Sequence, residues 1–116
     1  MGKRGRRRGR EEPAATSEYR DADGNVLTLR DRVSSGTVAT VRAPAVGAAA
    51  SVEDAWRRRT EMLFERLAVS WEIAGLPLTG QKELLGRFRM ADADTARWVR
   101  ETIDEHVRRH QPELAE

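Results

Sequence analysis

Apolar and polar positions over residues 51–78 repeat with the period of an α-helix. On a helical wheel of about 100° per residue, the apolar side chains occupy an arc of roughly 220°, and charged side chains fill the opposite side. Ser51 is a suitable N-cap, whereas Gly75 and Pro77 favour a helix end. The pattern predicts one long helix buried against more than one neighbour. Its apolar arc comprises Val52, Ala55, Trp56, Met62, Leu63, Phe64, Leu67, Val69, Trp71, Ile73 and Ala74.

Two further helices are predicted towards the C-terminus. A short apolar stripe predicts a helix that starts at Thr79 or Gly80 and ends at Met90. Asp92 is a suitable N-cap for a third helix that extends to about His110. The three helices, in the order long, short, long, are expected to form a small bundle.

Residues before this helical region alternate between apolar and polar side chains, which is typical of half-buried strands. Residues 23–25, with the sequence DGN, predict a tight turn between a strand at 19–20 and a strand at 26–29. Residues 34–36 predict a second turn, before a third strand at 37–41. We therefore expect a β-hairpin or a three-stranded meander, which needs a helix to cover one face.

Together, these patterns predict a mainly α-helical fold of the α+β class. Four segments are expected along the chain. They are a disordered basic arm at 1–16, a β-hairpin or meander at 17–43, an Ala/Gly/Pro linker at 44–50 and a helical domain at 51–111.

The 116-residue chain has a formal net charge of +2, but this charge is unevenly distributed. Of the 21 basic and 19 acidic side chains, six basic ones lie within residues 1–10, which leaves 15 basic against 19 acidic groups elsewhere. A glycine-rich, like-charged segment without apolar residues is expected to be disordered, and its guanidinium groups suit contacts with nucleic-acid phosphates. The alternative is a solubilising tail, or an arm that docks on acidic protein surface. The arm residues are Lys3, Arg4, Arg6, Arg7, Arg8 and Arg10.

The sequence contains no cysteine, which excludes disulfides, cysteine-ligated zinc and a thiol nucleophile and fits a reducing compartment. No apolar stretch approaches the roughly 20 residues of a membrane span. The N-terminus lacks the apolar region of a secretory signal. We expect a cytoplasmic protein without a membrane partner.

Four residues of the helical region are candidates for partner contacts. Arg59 and Arg66 lie seven positions apart at the edge of the apolar arc. Their stems can cover apolar surface, or the pair can contact an anion or a partner protein. Trp56 is expected in the core rather than in a base-stacking platform, and Trp98 lies off the apolar stripe of the third helix, beside Thr102.

His106 and His110 have the spacing of a metal-binding pair on one helical face. A third ligand would have to come from an Asp or Glu elsewhere in the chain, and Arg108 and Arg109 oppose a cation. Histidines near a helix C-terminus also interact favourably with the helix dipole. We prefer this interpretation, and no metal or other cofactor is expected.

No recognisable catalytic motif is present. Residues 75–82 differ from a P-loop in the position of their lysine, and no serine has recognisable histidine and acid partners. A helix-turn-helix is disfavoured, because the third helix and its cap carry five acidic residues against four arginines.

We therefore expect a small non-enzymatic binding protein whose basic arm contacts nucleic acid or a nucleoprotein particle without sequence specificity. The alternative is a protein–protein adaptor or a homodimer formed through the helical domain, with the arm as a solubilising or docking tail.

Overall fold

The computed structural model describes residues 15–43 and 52–115. This part of the chain has an α+β fold with a four-stranded antiparallel sheet and four helices. The elements are β1 (Thr16–Arg20), β2 (Val26–Arg30), α1 (Ser35–Arg42), α2 (Val52–Leu67), β3 (Ala68–Ile73), β4 (Leu76–Leu78), α3 (Gln81–Arg89), α4 (Ala93–His110) and a 3₁₀ turn (Pro112–Leu114).

The strands are ordered β1-β2-β3-β4, and each pairs with its neighbour in the antiparallel direction. The predicted hairpin between β1 and β2 is confirmed. Its turn is held by the Asp21 carboxylate, which accepts hydrogen bonds from the backbone N–H groups of Asp23 (2.9 Å) and Asn25 (3.0 Å). Gly24 has a φ of +85°, a conformation that glycine adopts without strain.

The predicted long helix is wrong beyond Leu67, where the chain continues as β3 instead of remaining helical. A short apolar run with Trp71 and β-branched residues suits either a buried helix or a strand. Pairing with β2 decides in favour of the strand, and it places Leu27 opposite Trp71. The expected helix end is a hairpin turn, in which Ala74 (φ +53°) and Gly75 (φ +81°) both have positive φ.

The predicted third strand at residues 37–41 is also wrong, because this segment belongs to helix α1. Ser34 caps the helix, and its hydroxyl accepts a hydrogen bond from the Thr37 N–H at 3.1 Å. Val38 and Val41 lie three positions apart, so the helix packs both side chains towards the core. Alternation of apolar and polar residues over so short a segment therefore does not distinguish a strand from a helix, whereas the capping residue Ser34 indicates a helix.

The two C-terminal helices are confirmed as α3 and α4. The Asp92 carboxylate caps α4 and accepts a hydrogen bond from the Thr95 N–H at 2.8 Å. This hydrogen bond to the ionised form lowers the pKa of Asp92. Three basic residues end α4, where the helix dipole favours positive charge.

One hydrophobic core joins the sheet to the helices, so the β1–β2 hairpin packs on the helical region. Phe64 is fully buried at its centre. The Phe64 ring stacks on Phe88 with centroids 4.8 Å apart, and it meets Trp71 edge-on at 5.7 Å. The buried apolar residues are Leu27, Leu29, Val41, Leu63, Phe64, Leu67, Trp71, Leu84, Phe88, Val99, Ile103, Val107 and Leu114.

We expect Phe64→Ala to reduce the free energy of unfolding by about 3–5 kcal/mol, because it removes a buried ring and leaves a cavity between Phe88 and Trp71. Urea denaturation followed by circular dichroism measures this loss. The control is Val52→Ala on the same helix, whose side chain is 86% exposed and whose loss should change stability by at most about 0.5 kcal/mol. Equal effects of the two substitutions would contradict this description of the core.

Candidate anion-binding cavity and histidine cluster

The basic residues predicted to bind nucleic acid lie outside the described residues. They are Lys3, Arg4, Arg6, Arg7, Arg8 and Arg10. The predicted linker at 44–50 also lies outside them, so the structure bears on neither segment.

Arg59 and Arg66, the candidate pair on α2, have different surroundings. The Arg59 guanidinium donates a hydrogen bond to the backbone carbonyl of Leu114 and thereby ties α2 to the 3₁₀ turn. Arg66 lies in the last turn of α2 and lines a cavity to which Arg59 does not contribute. The two arginines therefore do not contact one common anion in this arrangement.

The cavity at Arg66 has a volume of about 470 Å³ and a mostly polar lining. It lies where the end of β2, the start of α1 and the end of α2 meet. We call it the arginine cavity. It is lined by Arg30, Arg32, Val33, Ser34, Thr37, Glu65, Arg66, Ala68, Val69, Thr79 and Gln81.

Positive charge dominates this lining, with three arginines against the single carboxylate of Glu65. Arg32 donates a hydrogen bond to the His110 carbonyl at 2.9 Å. Within residues 15–43 and 52–115, the guanidinium groups of Arg30 and Arg66 have neither a hydrogen-bond partner nor an ion-pair partner. Guanidinium groups bind phosphate and carboxylate in a bidentate manner, and neighbouring hydroxyl groups can donate further hydrogen bonds. The arginine cavity can therefore bind an anion.

The sequence pattern does not single out Arg30 and Arg32 as site residues. Arg30 ends β2 and Arg32 lies two residues beyond it, far from Arg66 along the chain, and no helical or strand period connects them. They lie near Arg66 only because β2 pairs with β3, which directly follows α2.

The two candidate tryptophans differ in burial. Trp56 was expected in the core, and this is wrong because its side chain is 39% exposed. The Arg100 guanidinium lies over the Trp56 ring, 3.8 Å from the centroid, in a cation–π contact between α2 and α4. Beside it is a cavity of about 310 Å³ that also contacts Phe88. Trp98 is partly buried and packs against the core.

A second polar arrangement, the histidine cluster, comprises Ser17, Tyr19, Asp31, His106 and His110. His106 is 1% exposed. Its Nε2 donates to the Arg30 carbonyl at 2.7 Å, so its Nδ1 is the acceptor for the Tyr19 hydroxyl at 2.5 Å. Burial lowers the pKa of His106 and raises the pKa of Tyr19, so both side chains are neutral at pH 7.

Asp31 and His110 form the more accessible side of the cluster. The Ser17 hydroxyl donates to Asp31 Oδ1 at 2.6 Å and lies 3.4 Å from His110 Nε2. Asp31 Oδ1 lies 3.8 Å from the same nitrogen. A catalytic triad needs the serine and the acid on opposite nitrogens of the imidazole. Serine and aspartate here approach the same nitrogen, so this is not the geometry of a nucleophilic triad.

We expect Tyr19→Phe to reduce the free energy of unfolding by about 1–3 kcal/mol, because the buried Nδ1 of His106 loses its hydrogen-bond partner. Urea denaturation in the presence of a chelator measures this change. Thr28→Val is the matched control, since it removes a hydroxyl from the opposite face of the same sheet, and a change within about 0.5 kcal/mol is expected. A Tyr19→Phe protein as stable as the unmodified one would contradict the assigned hydrogen bond.

None of the helices in the described part of the chain is long and apolar enough to cross a membrane. No protein-family model matches the chain, and no curated protein or solved structure is significantly similar to it.

Proposed function

We propose that this protein is a non-enzymatic binding protein that holds nucleic acid, or a nucleoprotein particle, through its phosphates. The basic arm makes the first set of contacts, because residues 1–10 carry six positive charges and no negative charge. The arginine cavity makes the second set on the folded body. A nucleic-acid partner and the absence of cysteine both fit a cytoplasmic location, which we include in the proposal.

The observation that carries the proposal is the pair of unpartnered guanidinium groups, Arg30 and Arg66, on one cavity. Residues outside the arm carry more acidic than basic groups, whereas this cavity brings together three arginines, of which, among the described residues, only Arg32 has an acidic partner, Glu113 at 3.8 Å. Arg30 and Arg66 are both exposed, and an exposed ion pair would contribute little to stability. Their open arrangement therefore supports a role in binding rather than in folding.

Two other features of the chain favour contact with phosphates over recognition of bases. The arm has no aromatic residue on which bases could stack. On α4, arginines pair with acids of their own helix, such as Arg108 with Asp104 at 2.8 Å and Arg97 with Asp94 at 3.3 Å. A helix with this balance of charge is poorly suited to a DNA groove.

Salt-dependent binding to mixed-sequence RNA and duplex DNA tests the proposal by fluorescence anisotropy. We expect the slope of log affinity against log salt to fall by about 0.7–0.9 for each phosphate contact removed. Replacing the six basic arm residues by glutamine should remove most of the affinity. The double substitution Arg30→Ala/Arg66→Ala should lower the slope by roughly one to two, because at most two phosphate contacts are lost.

The matched control is Arg97→Ala/Arg108→Ala, which removes the same charge from ion pairs on α4. It should weaken binding less than the cavity variant. Absence of binding by the unmodified protein, or equal affinity of all four proteins, would overturn the proposal. Loss of affinity in the arm variant alone would restrict the interaction to the arm and remove the cavity from it.

A second candidate is a protein–protein adaptor or homodimer, and exposed Trp56 beneath Arg100 is the observation that favours it. Tryptophan and arginine are enriched among the residues that dominate binding energy at protein interfaces. The adjoining cavity gives this pair a concave surface beside Phe88.

If a second copy binds there, size-exclusion chromatography with light scattering should show a dimer that survives nuclease treatment. Trp56→Ala should convert it to a monomer, because the aromatic anchor is lost. Leu76→Ser is the control, since it removes a 71%-exposed apolar side chain from β4 and not from α2. A monomer at all concentrations would exclude the homodimer.

A further inference from the structure

We propose that Asp31, His106 and His110 bind a divalent transition metal of the zinc class. The proposal is independent of the nucleic-acid function and rests on the described side chains alone. The sequence disfavours this site, because it shows no third ligand beside the histidine pair and places two arginines between the histidines. The fold supplies Asp31, which follows β2 directly and lies beside both histidines.

The donor atoms are close enough for one ion. One donor atom from each of the three residues lies within 4.8 Å of the other two, and His110 Nε2 lies 3.8 Å from Asp31 Oδ1. Zinc bonds of about 2.0–2.1 Å in tetrahedral geometry separate neighbouring donors by roughly 3.3 Å. The donors therefore have to approach one another by up to about 1.5 Å before one ion can bind all three. The two histidines lie on one face of α4 with ring centroids 4.6 Å apart.

The surrounding hydrogen bonds prepare two of the ligands. His106 donates its Nε2–H to the Arg30 carbonyl, which leaves Nδ1 as the nitrogen with a lone pair, and this lone pair accepts from the Tyr19 hydroxyl. Metal-binding histidines ordinarily donate their second nitrogen in this way, because the hydrogen bond fixes both tautomer and ring orientation. Asp31 is likewise held by the Ser17 hydroxyl. The Tyr19 hydroxyl occupies Nδ1 without the metal, so it competes with the ion for this lone pair.

The arginines between the histidines have acidic partners on their own helix, which offset part of their positive charge. Arg108 pairs with Asp104 at 2.8 Å, and Arg109 pairs with Glu105 at 3.6 Å. The site also lies at the C-terminal end of α4, where the helix dipole favours positive charge.

The donor set indicates the class of metal and its accessibility. Two imidazoles and one carboxylate suit zinc and its transition-metal neighbours, whereas magnesium and calcium prefer oxygen ligands alone. The side chains of His110 and Asp31 are 25% and 20% exposed, and both line a cavity of about 350 Å³. The Asp31 and His110 side of the site is therefore open to solvent, whereas His106 is buried and does not line this cavity.

Titration of the full-length, tag-free, metal-free protein with zinc and with cobalt(II) tests the site. We expect calorimetry to show one zinc per chain, and cobalt(II) to give the intense visible absorption of a four-coordinate site. His110→Gln and Asp31→Asn should each weaken zinc binding by about tenfold or more. His106 is not used for this test, because its replacement disturbs the core.

Two further variants separate specific coordination from general cation binding. Asp104→Asn removes a carboxylate from the same helix outside the cluster, and zinc affinity should not change. Tyr19→Phe should bind zinc at least as tightly as the unmodified protein, because the competing hydrogen bond is gone. The proposal is overturned if zinc does not bind with one-to-one stoichiometry, if His110→Gln binds it equally well, or if Tyr19→Phe binds it more weakly.

Discussion

The hydrogen bonding between β2 and β3 is the interaction on which the rest of this structure depends. It joins the N-terminal hairpin to the strand that follows α2, and it brings Leu27 and Leu29 into the same core as Phe64 and Trp71. A two-stranded hairpin is marginal in water, and a four-stranded sheet covered by helices is not. This pairing therefore joins the helical region and the hairpin in one sheet and one hydrophobic core.

The same pairing positions the polar features at the end of β2. The Arg30 carbonyl binds His106, while the Arg30 side chain lines the arginine cavity. Asp31 joins the histidine cluster, and Arg32 binds the C-terminal end of α4 through the His110 carbonyl. Three consecutive residues thus connect the sheet to α4 and contribute to both proposed sites. The two proposals remain separable, because Arg66 belongs only to the cavity and His110 only to the cluster.

Stability and binding depend on different groups in this protein. Burial of large apolar side chains contributes roughly 1.5–3 kcal/mol for each residue, whereas exposed ion pairs contribute at most about 1 kcal/mol. The arginines with open guanidinium groups lie outside the core, so their replacement should leave the fold intact. His106 is the exception, because it is buried with both ring nitrogens bonded and serves the core and the cluster together.

The sequence by itself determined the features that arise from neighbouring residues. The turn at Gly24, the cap at Asp92, the extents of α3 and α4 and the uneven charge all follow from local conformational preference or composition. Only the tertiary structure decided that the helix ends at Leu67 and that Trp56 is exposed. It also decided that Arg30 lies near Arg66 of α2, and that Asp31 lies near the two histidines of α4. The physical reason is that a short apolar run fits a helix or a strand equally well until a partner strand satisfies its backbone hydrogen bonds. Contacts between residues distant in sequence follow from that choice.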